Sequence, residues 1–199
     1  IYRDILPPPP QFPVRAHSAT LQLPREQSVV MLAMPGFDNA SGDRYSFEII
    51  MAALNGLSSQ LFKTIREEAG LAYVTGASLF SGIQPGAFWL YAVTSRTGAA
   101  AVKKMLLDEL KRLKQDGLGE EEFDAARRSV IFDHEQLLEK PNLLAFHCAL
   151  AEFYGNSASE VLSAPEVYQA LTREKIAGIL RKYLGYCGKV AVTVLSEQQ

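Results

Sequence analysis

Apolar residues in this chain repeat with two different periods, and the switches between them mark out the elements. Residues 19–23 read as a short strand. Residues 28–34 (Ser28-Val29-Val30-Met31-Leu32-Ala33-Met34) read as a buried one, ended by Pro35-Gly36. The period then lengthens. Phe47, Ile50, Met51 and Leu54 share one face of a helix over 43–55, with Asp43 as its cap and Gly56 as its stop. Ser58 or Ser59 caps a second helix over 60–69 that turns Leu61, Phe62 and Ile65 inward, and Gly70 suits a left-handed stop.

Two strands follow, 72–80 and 87–94. Gly82-Ile83-Gln84-Pro85-Gly86 forms the turn between them, and Phe88, Trp89 and Tyr91 make the second aromatic. Val102, Met105, Leu106, Leu110 and Leu113 stripe a helix that starts at Thr97 or Gly98, runs to Gln115 and ends at Gly117. Gly119 opens another, to about Glu139, whose first turn carries Glu120, Glu121 and Glu122 at the positive helix end. Pro141 suits the first turn of a helix to Tyr154, with Gly155 beyond it. A short helix over 165–171 comes next. Thr172 then caps a last helix to Leu184, and Val190, Val192 and Val194 alternate in a closing strand.

The hairpin excludes a simple doubly wound parallel sheet. The order predicts an α+β fold: a mostly antiparallel sheet with helices packed on one face. The opening is different in kind. Leu6 is followed by Pro7-Pro8-Pro9-Pro10, a semi-rigid extended spacer of the sort found between domains. The expected organisation is a proline-rich lead-in over 1–16 and one α+β domain over 17–199. With Ile1 as first residue, the chain reads as a piece of a longer protein or a processed subunit.

Composition narrows the possible partners. The 199 residues are 48% hydrophobic and 21% charged, ordinary for a globular chain, and the net charge of −2 offers no basic surplus for nucleic acid or an anionic membrane. No apolar run reaches the roughly 18 residues a membrane span needs. A soluble protein is expected, with bacterial periplasm and cytoplasm equally open. Two cysteines, Cys148 and Cys187, make no disulfide framework, and Cys148 reads as a buried free thiol in an apolar helix.

Chemistry of the chain's own is hard to find. The histidines are His17, His134 and His147, and none belongs to H-E-x-x-H or H-x-x-E-H. In Asp133-His134-Glu135 neighbouring helical side chains diverge, so a solvated face is expected, and His147 reads as a half-buried packing residue. There is no G-x-S-x-G elbow and no phosphate loop. No catalytic residue, metal site or cofactor is therefore assigned to this chain alone.

One segment rises above that background, from Asn55 through Leu57-Ser58-Ser59-Gln60-Leu61-Phe62-Lys63-Thr64-Ile65-Arg66-Glu67-Glu68-Ala69-Gly70-Leu71-Ala72 to Tyr73. A capped helix carries an Arg in its last turn, Gly70 reverses the chain, and a Tyr opens the next strand. Arg66 and Tyr73 would then project from the same end of the sheet. A guanidinium fork and a phenol there suit peptide carbonyls or an oxyanion. The plain alternative is an Arg favoured at the negative helix end and a common strand residue.

That segment resembles the hallmark L-F-x-x-[IL]-R-E-x-x-G-L-A-Y of the C-terminal half-domain of insulinase-like peptidases. That family includes pitrilysin and the mitochondrial processing peptidase. Weaker likenesses follow in order: Gln27, Asp43-Arg44-Tyr45, Gly86, the Gly117 to Phe123 junction, and Leu171-Thr172-Arg173-Glu174-Lys175-Ile176. Before the Ser-Ser pair the family often has a longer Gly-rich stretch than the Leu54-Asn55-Gly56 found here. The resemblance implies one of two halves enclosing a chamber. Zinc would be held by an H-x-x-E-H motif on a partner domain or subunit, with Arg66 and Tyr73 reaching across to the peptide substrate. The chain alone would be inactive, and an isolated half would expose apolar surface and self-associate into homo-oligomers. Two other readings stand beside it: a scaffold of the same fold that has lost its chemistry, and a module that takes up a peptide strand at a sheet edge.

Overall fold

A computed structural model describes residues 8–56 and 59–197. Five strands form one sheet: β1 (His17–Leu23), β2 (Ser28–Pro35), β3 (Ala72–Phe80), β4 (Ala87–Thr94) and β5 (Val190–Ser196), in the order β1-β5-β2-β4-β3. Only β1 and β5 run parallel; the β5–β2, β2–β4 and β4–β3 pairs are antiparallel. The strands are as expected, except that β1 starts earlier, at His17, because its amide bonds the Lys189 carbonyl at 2.9 Å. All of β1 is exposed, as an edge strand's residues can be.

Alternation decides which face carries the core. Val30, Leu32 and Met34 of β2 and Phe88, Leu90 and Ala92 of β4 are buried, while Met31, Ala33, Trp89 and Tyr91 between them are only partly covered. Helices lie on the first face. They are α1 (Arg44–Asn55), α2 (Ala99–Asp116), α3 (Glu120–Leu138), α4 (Pro141–Phe153), α5 (Ala158–Ala170) and α6 (Arg173–Leu184). Phe47 of α1 is fully buried, its ring 5.0 Å from both Phe88 and Tyr183, so α1 and α6 meet over the sheet. Inside α2, Glu109 is buried and accepts both Nε and Nη2 of Arg112, the pairing that makes a buried charge tolerable. α3 and α5 pack on α1, and α4 lies outermost on α3 and α5.

Several expectations need correction. Asp43 precedes α1 but does not cap it. Its carboxylate accepts instead from Lys182 Nζ at 2.6 Å and Tyr183 OH at 2.7 Å of α6. The short helix over 165–171 is part of the longer α5. That helix is capped by Ser157, whose hydroxyl accepts the Ser159 amide at 3.2 Å, and Pro165 sits in its interior. Cys148 is half-buried, on a helix with no buried residue at all, and its thiol faces the Ala158 carbonyl at 3.9 Å. Of the two serines before the second helix, Ser58 lies outside the described residues. Ser59 is buried, and its hydroxyl accepts the Phe62 amide at 3.2 Å.

Candidate functional site

The segment from Ser59 to Tyr73 is a short helix that widens before it stops. Phe62–Glu68 is π-helical, and its last bond runs from the Ala69 amide to the Thr64 carbonyl at 3.2 Å, one residue wider than an α-helical bond. Gly70 then takes φ +61°, a conformation that side chains other than glycine's adopt only with strain, and the chain reverses. The Leu71 amide bonds the Ile65 carbonyl at 3.0 Å, while Thr94 Oγ1 donates to the Leu71 carbonyl. Leu61 and Ile65, both fully buried, anchor the segment to the core. The reversal is thus closed by backbone bonds and held from below.

Arg66 and Tyr73 stand on either side of that reversal. Arg66 is exposed, its guanidinium 5.1 Å from the Phe62 ring. Tyr73 is 56% exposed and is the extra residue of a β-bulge: Ala72 pairs with Thr94 and Val74 with Val93, so Tyr73 has no partner on β4. Bulges re-aim side chains, and here two consecutive residues of β3, Tyr73 and Val74, are both exposed. Among the described residues neither the Arg66 nor the Tyr73 side chain has a hydrogen-bond or ion-pair partner. A donor fork on the helix and a phenol at the start of β3 are left exposed.

The histidines lie elsewhere. His17 is exposed on β1. His134 does not sit on a solvated face: it is half-buried, its Nε2 2.7 Å from the Val161 carbonyl and its ring 5.8 Å from that of Tyr168. His147 is half-buried, as expected, with Phe146 edge-on at 5.5 Å. Among the described residues no three His, Cys, Asp or Glu side chains converge in a way that could hold a metal. The donor set here does not fit a zinc ion.

What the sequence did not disclose is an open cavity of about 500 Å³ lined by α1, α3, α4 and α5. Tyr168 lies in its wall, 1% exposed, and donates its hydroxyl to Glu48 Oε2. Glu48 is exposed where it opens onto this cleft, while the protein atoms gathered around its carboxyl group partly desolvate it. Burial pushes the Glu48 carboxyl above the usual carboxylate range, against the Tyr168 hydrogen bond and the nearby His134 and Arg44. Burial, then Glu48 itself, holds the Tyr168 phenol well above its ordinary value. At the rim, Arg44 bonds Glu160, the Tyr45 hydroxyl at 2.7 Å and Asn156 Oδ1 at 3.2 Å. A Glu in the apolar run Phe47-Glu48-Ile49-Ile50 and a Pro inside α5 were the signals that could have pointed here.

Comparison with known proteins brings a consistent picture. The family described as "Peptidase M16 inactive domain" matches residues 3–130. An uncharacterized zinc protease of Streptomyces coelicolor is 33% identical over 102 residues, 51% of this chain and 22% of that protein. One of Rickettsia bellii is 29% identical over 117 residues, 58% of this chain and 28% of that protein. These matches take in about a quarter of the relatives' length. Among solved structures, the peptidase M16 inactive domain from Pseudomonas fluorescens superposes with a TM-score of 0.86 at 21% identity, over 96% of this chain and 46% of that one. A protease from Helicobacter pylori does so with a TM-score of 0.83 at 16% identity, over 92% and 45%. Both likenesses concern the fold.

Proposed function

Because this chain belongs to the peptidase M16 inactive-domain family, we propose that it is the substrate-binding, zinc-free half of a zinc metallopeptidase. The reading rests on one observation above others: Arg66 on the π-helix and Tyr73 at the start of β3 are exposed, with no side-chain hydrogen bond or ion pair among the described residues, on either side of a reversal anchored to the core. Exposed long side chains lose rotamer freedom when they engage, so a rigid base lowers the cost of using them.

In this reading a companion domain would carry the H-x-x-E-H motif, and a zinc ion held there would supply Lewis-acid polarisation of the scissile carbonyl and an activated water. Arg66 donates its planar N–H fork to peptide carbonyl oxygens of the substrate, fixing the register of the backbone. Tyr73 donates its phenolic O–H toward the oxygen on which negative charge grows as the carbonyl carbon becomes tetrahedral. Neither residue takes a proton from water, so the chain by itself is inactive.

The test is peptide hydrolysis by this chain alone, by a companion half carrying H-x-x-E-H alone, and by the mixture. Turnover in the mixture only, lost on chelation and in Arg66→Ala, supports the proposal. A well-formed complex with zinc in the companion and no turnover would turn the reading to a scaffold. The third reading, uptake of a peptide strand along β3, meets an obstacle at Ala77, whose outward amide and carbonyl are both held by the Asn55 side chain.

A further inference from the structure

The cavity between α1, α3, α4 and α5 is not part of the Arg66–Tyr73 site, and its chemistry is specific enough to name a ligand. Its volume of about 500 Å³ falls within the range of small-molecule sites. Met51, Leu137, Leu150 and Val161 give it apolar walls, which suit an aliphatic stem and would leave water poorly bonded.

The polar groups sort themselves by what is already committed. Tyr168 gives its proton to Glu48 Oε2. Arg44 spends its donors on Glu160, Tyr45, Asn156 and the Asn39 carbonyl. Asn156 Nδ2 donates to the Asn39 carbonyl at 3.0 Å. His134 must carry its proton on Nε2, since the Val161 carbonyl at 2.7 Å can only accept. Lone pairs are left over: Glu48 Oε1 and, on the neutral ring, His134 Nδ1 have no partner among the described residues. An entering molecule therefore meets acceptors and a carboxylate at the side of an open, largely apolar cleft, where a charge-assisted bond adds to apolar contact along the stem.

We propose that this cavity binds a cationic N–H donor on an apolar stem, an aliphatic amine or guanidine. The donor group sits at Glu48 Oε1, with His134 Nδ1 as a second acceptor, and the stem lies along Met51 and Leu150. Free small amines and the basic side chain of a peptide share this chemistry.

Calorimetric titration of the 199-residue chain, with no companion half present, tests it. The probes are n-butylamine, n-butylguanidine, Nα-acetyl-lysinamide and Nα-acetyl-argininamide, each beside a neutral isostere such as n-pentanol or Nα-acetyl-norleucinamide. Saturable one-to-one binding of a cation is expected, with its neutral isostere roughly tenfold or more weaker, as for loss of one charge-assisted hydrogen bond. Glu48→Gln, which keeps the shape and the Tyr168 contact, should weaken the cation by a similar factor. Ala151→Trp, which fills the cavity from α4, should abolish binding of either kind. Preference for the free amines identifies a small-molecule ligand, and preference for the blocked amino acids identifies a basic peptide side chain; both support the site. No saturable binding, equal binding of the neutral isosteres, or undiminished binding by folded Glu48→Gln would overturn it. Because no hydrolysis is read, the result stands apart from the fate of the peptidase reading.

Discussion

His134 donates its Nε2 proton to the Val161 carbonyl at 2.7 Å, and Val161 is the residue four before Pro165 in α5. In a regular helix that carbonyl would accept the amide of residue 165. Proline has none, so a side chain from α3 supplies the missing donor. The pairing explains how a proline survives in a helix interior and why His134 turns inward.

The relationship predicts coupling. His134→Leu should destabilise the chain by about 1–3 kcal/mol by orphaning the carbonyl. In a Pro165→Ala background, which restores the amide, the same change should cost less. A double-mutant cycle by denaturant unfolding reads the difference, and strict additivity would show that the two residues are independent.

Arg66→Ala and Tyr73→Phe should leave unfolding midpoints within about 0.5 kcal/mol of the parent, since both side chains are exposed and unpaired. In a reconstituted enzyme each should lower kcat/KM by about a hundredfold or more. Arg66→Lys should recover little, because an ammonium cannot replace the fork. Thermal melts and peptide turnover measured on the same preparations separate function from folding.

Asn55 closes part of the β3 edge: its Nδ2 donates to the Ala77 carbonyl at 3.0 Å and its Oδ1 accepts the Ala77 amide at 2.8 Å. Gly76 makes room, since a Cβ there would lie 2.8 Å from Asn55 Oδ1. Asn55→Ala should cost about 1–3 kcal/mol and raise aggregation through the uncovered edge. Light scattering on heating, compared with the parent chain, checks the second effect.

Asp43 gives a pH dependence. Burial disfavours its charge, but hydrogen bonds from Lys182 and Tyr183 and the charges of Lys182 and Lys175 prevail, so its carboxyl titrates below the ordinary range. A depressed folded-state value stabilises above the unfolded value near ~3.9 and loses that contribution as pH falls through the folded one. Lys182 is largely exposed, so the effect is on the order of 1 kcal/mol after screening. Asp43→Asn should melt lower than the parent at pH ~6, and the gap should close below about pH 3. Glu48 works in the opposite sense: with its value raised by burial, its contribution is present at low pH and lost as pH rises.

Much of the fold was legible because it depends on local periodicity. The alternation in β2, the stripes of α1 and α2, and the left-handed Gly70 are each written in a few neighbouring residues. So was the Arg66–Tyr73 motif, whose spacing brackets one turn. The misread elements failed for a physical reason. Asp43 looked like a cap because short-range capping is what sequence displays, but α6 brought a stronger partner from 139 and 140 residues away. Pro165 looked like a helix start because its compensating donor sits on another helix, 27 residues from the carbonyl it serves.

By itself, then, the sequence determined the order of elements, the apolar faces that drive them together, and the family-like turn that carries Arg66 and Tyr73. Only the tertiary structure decided that Glu48, His134 and Tyr168 line one cleft. They come from α1, α3 and α5, and no periodicity links residues on three separate helices. What joins them is packing: α4, with no buried residue of its own, lies across α3 and α5 without filling the gap beneath it.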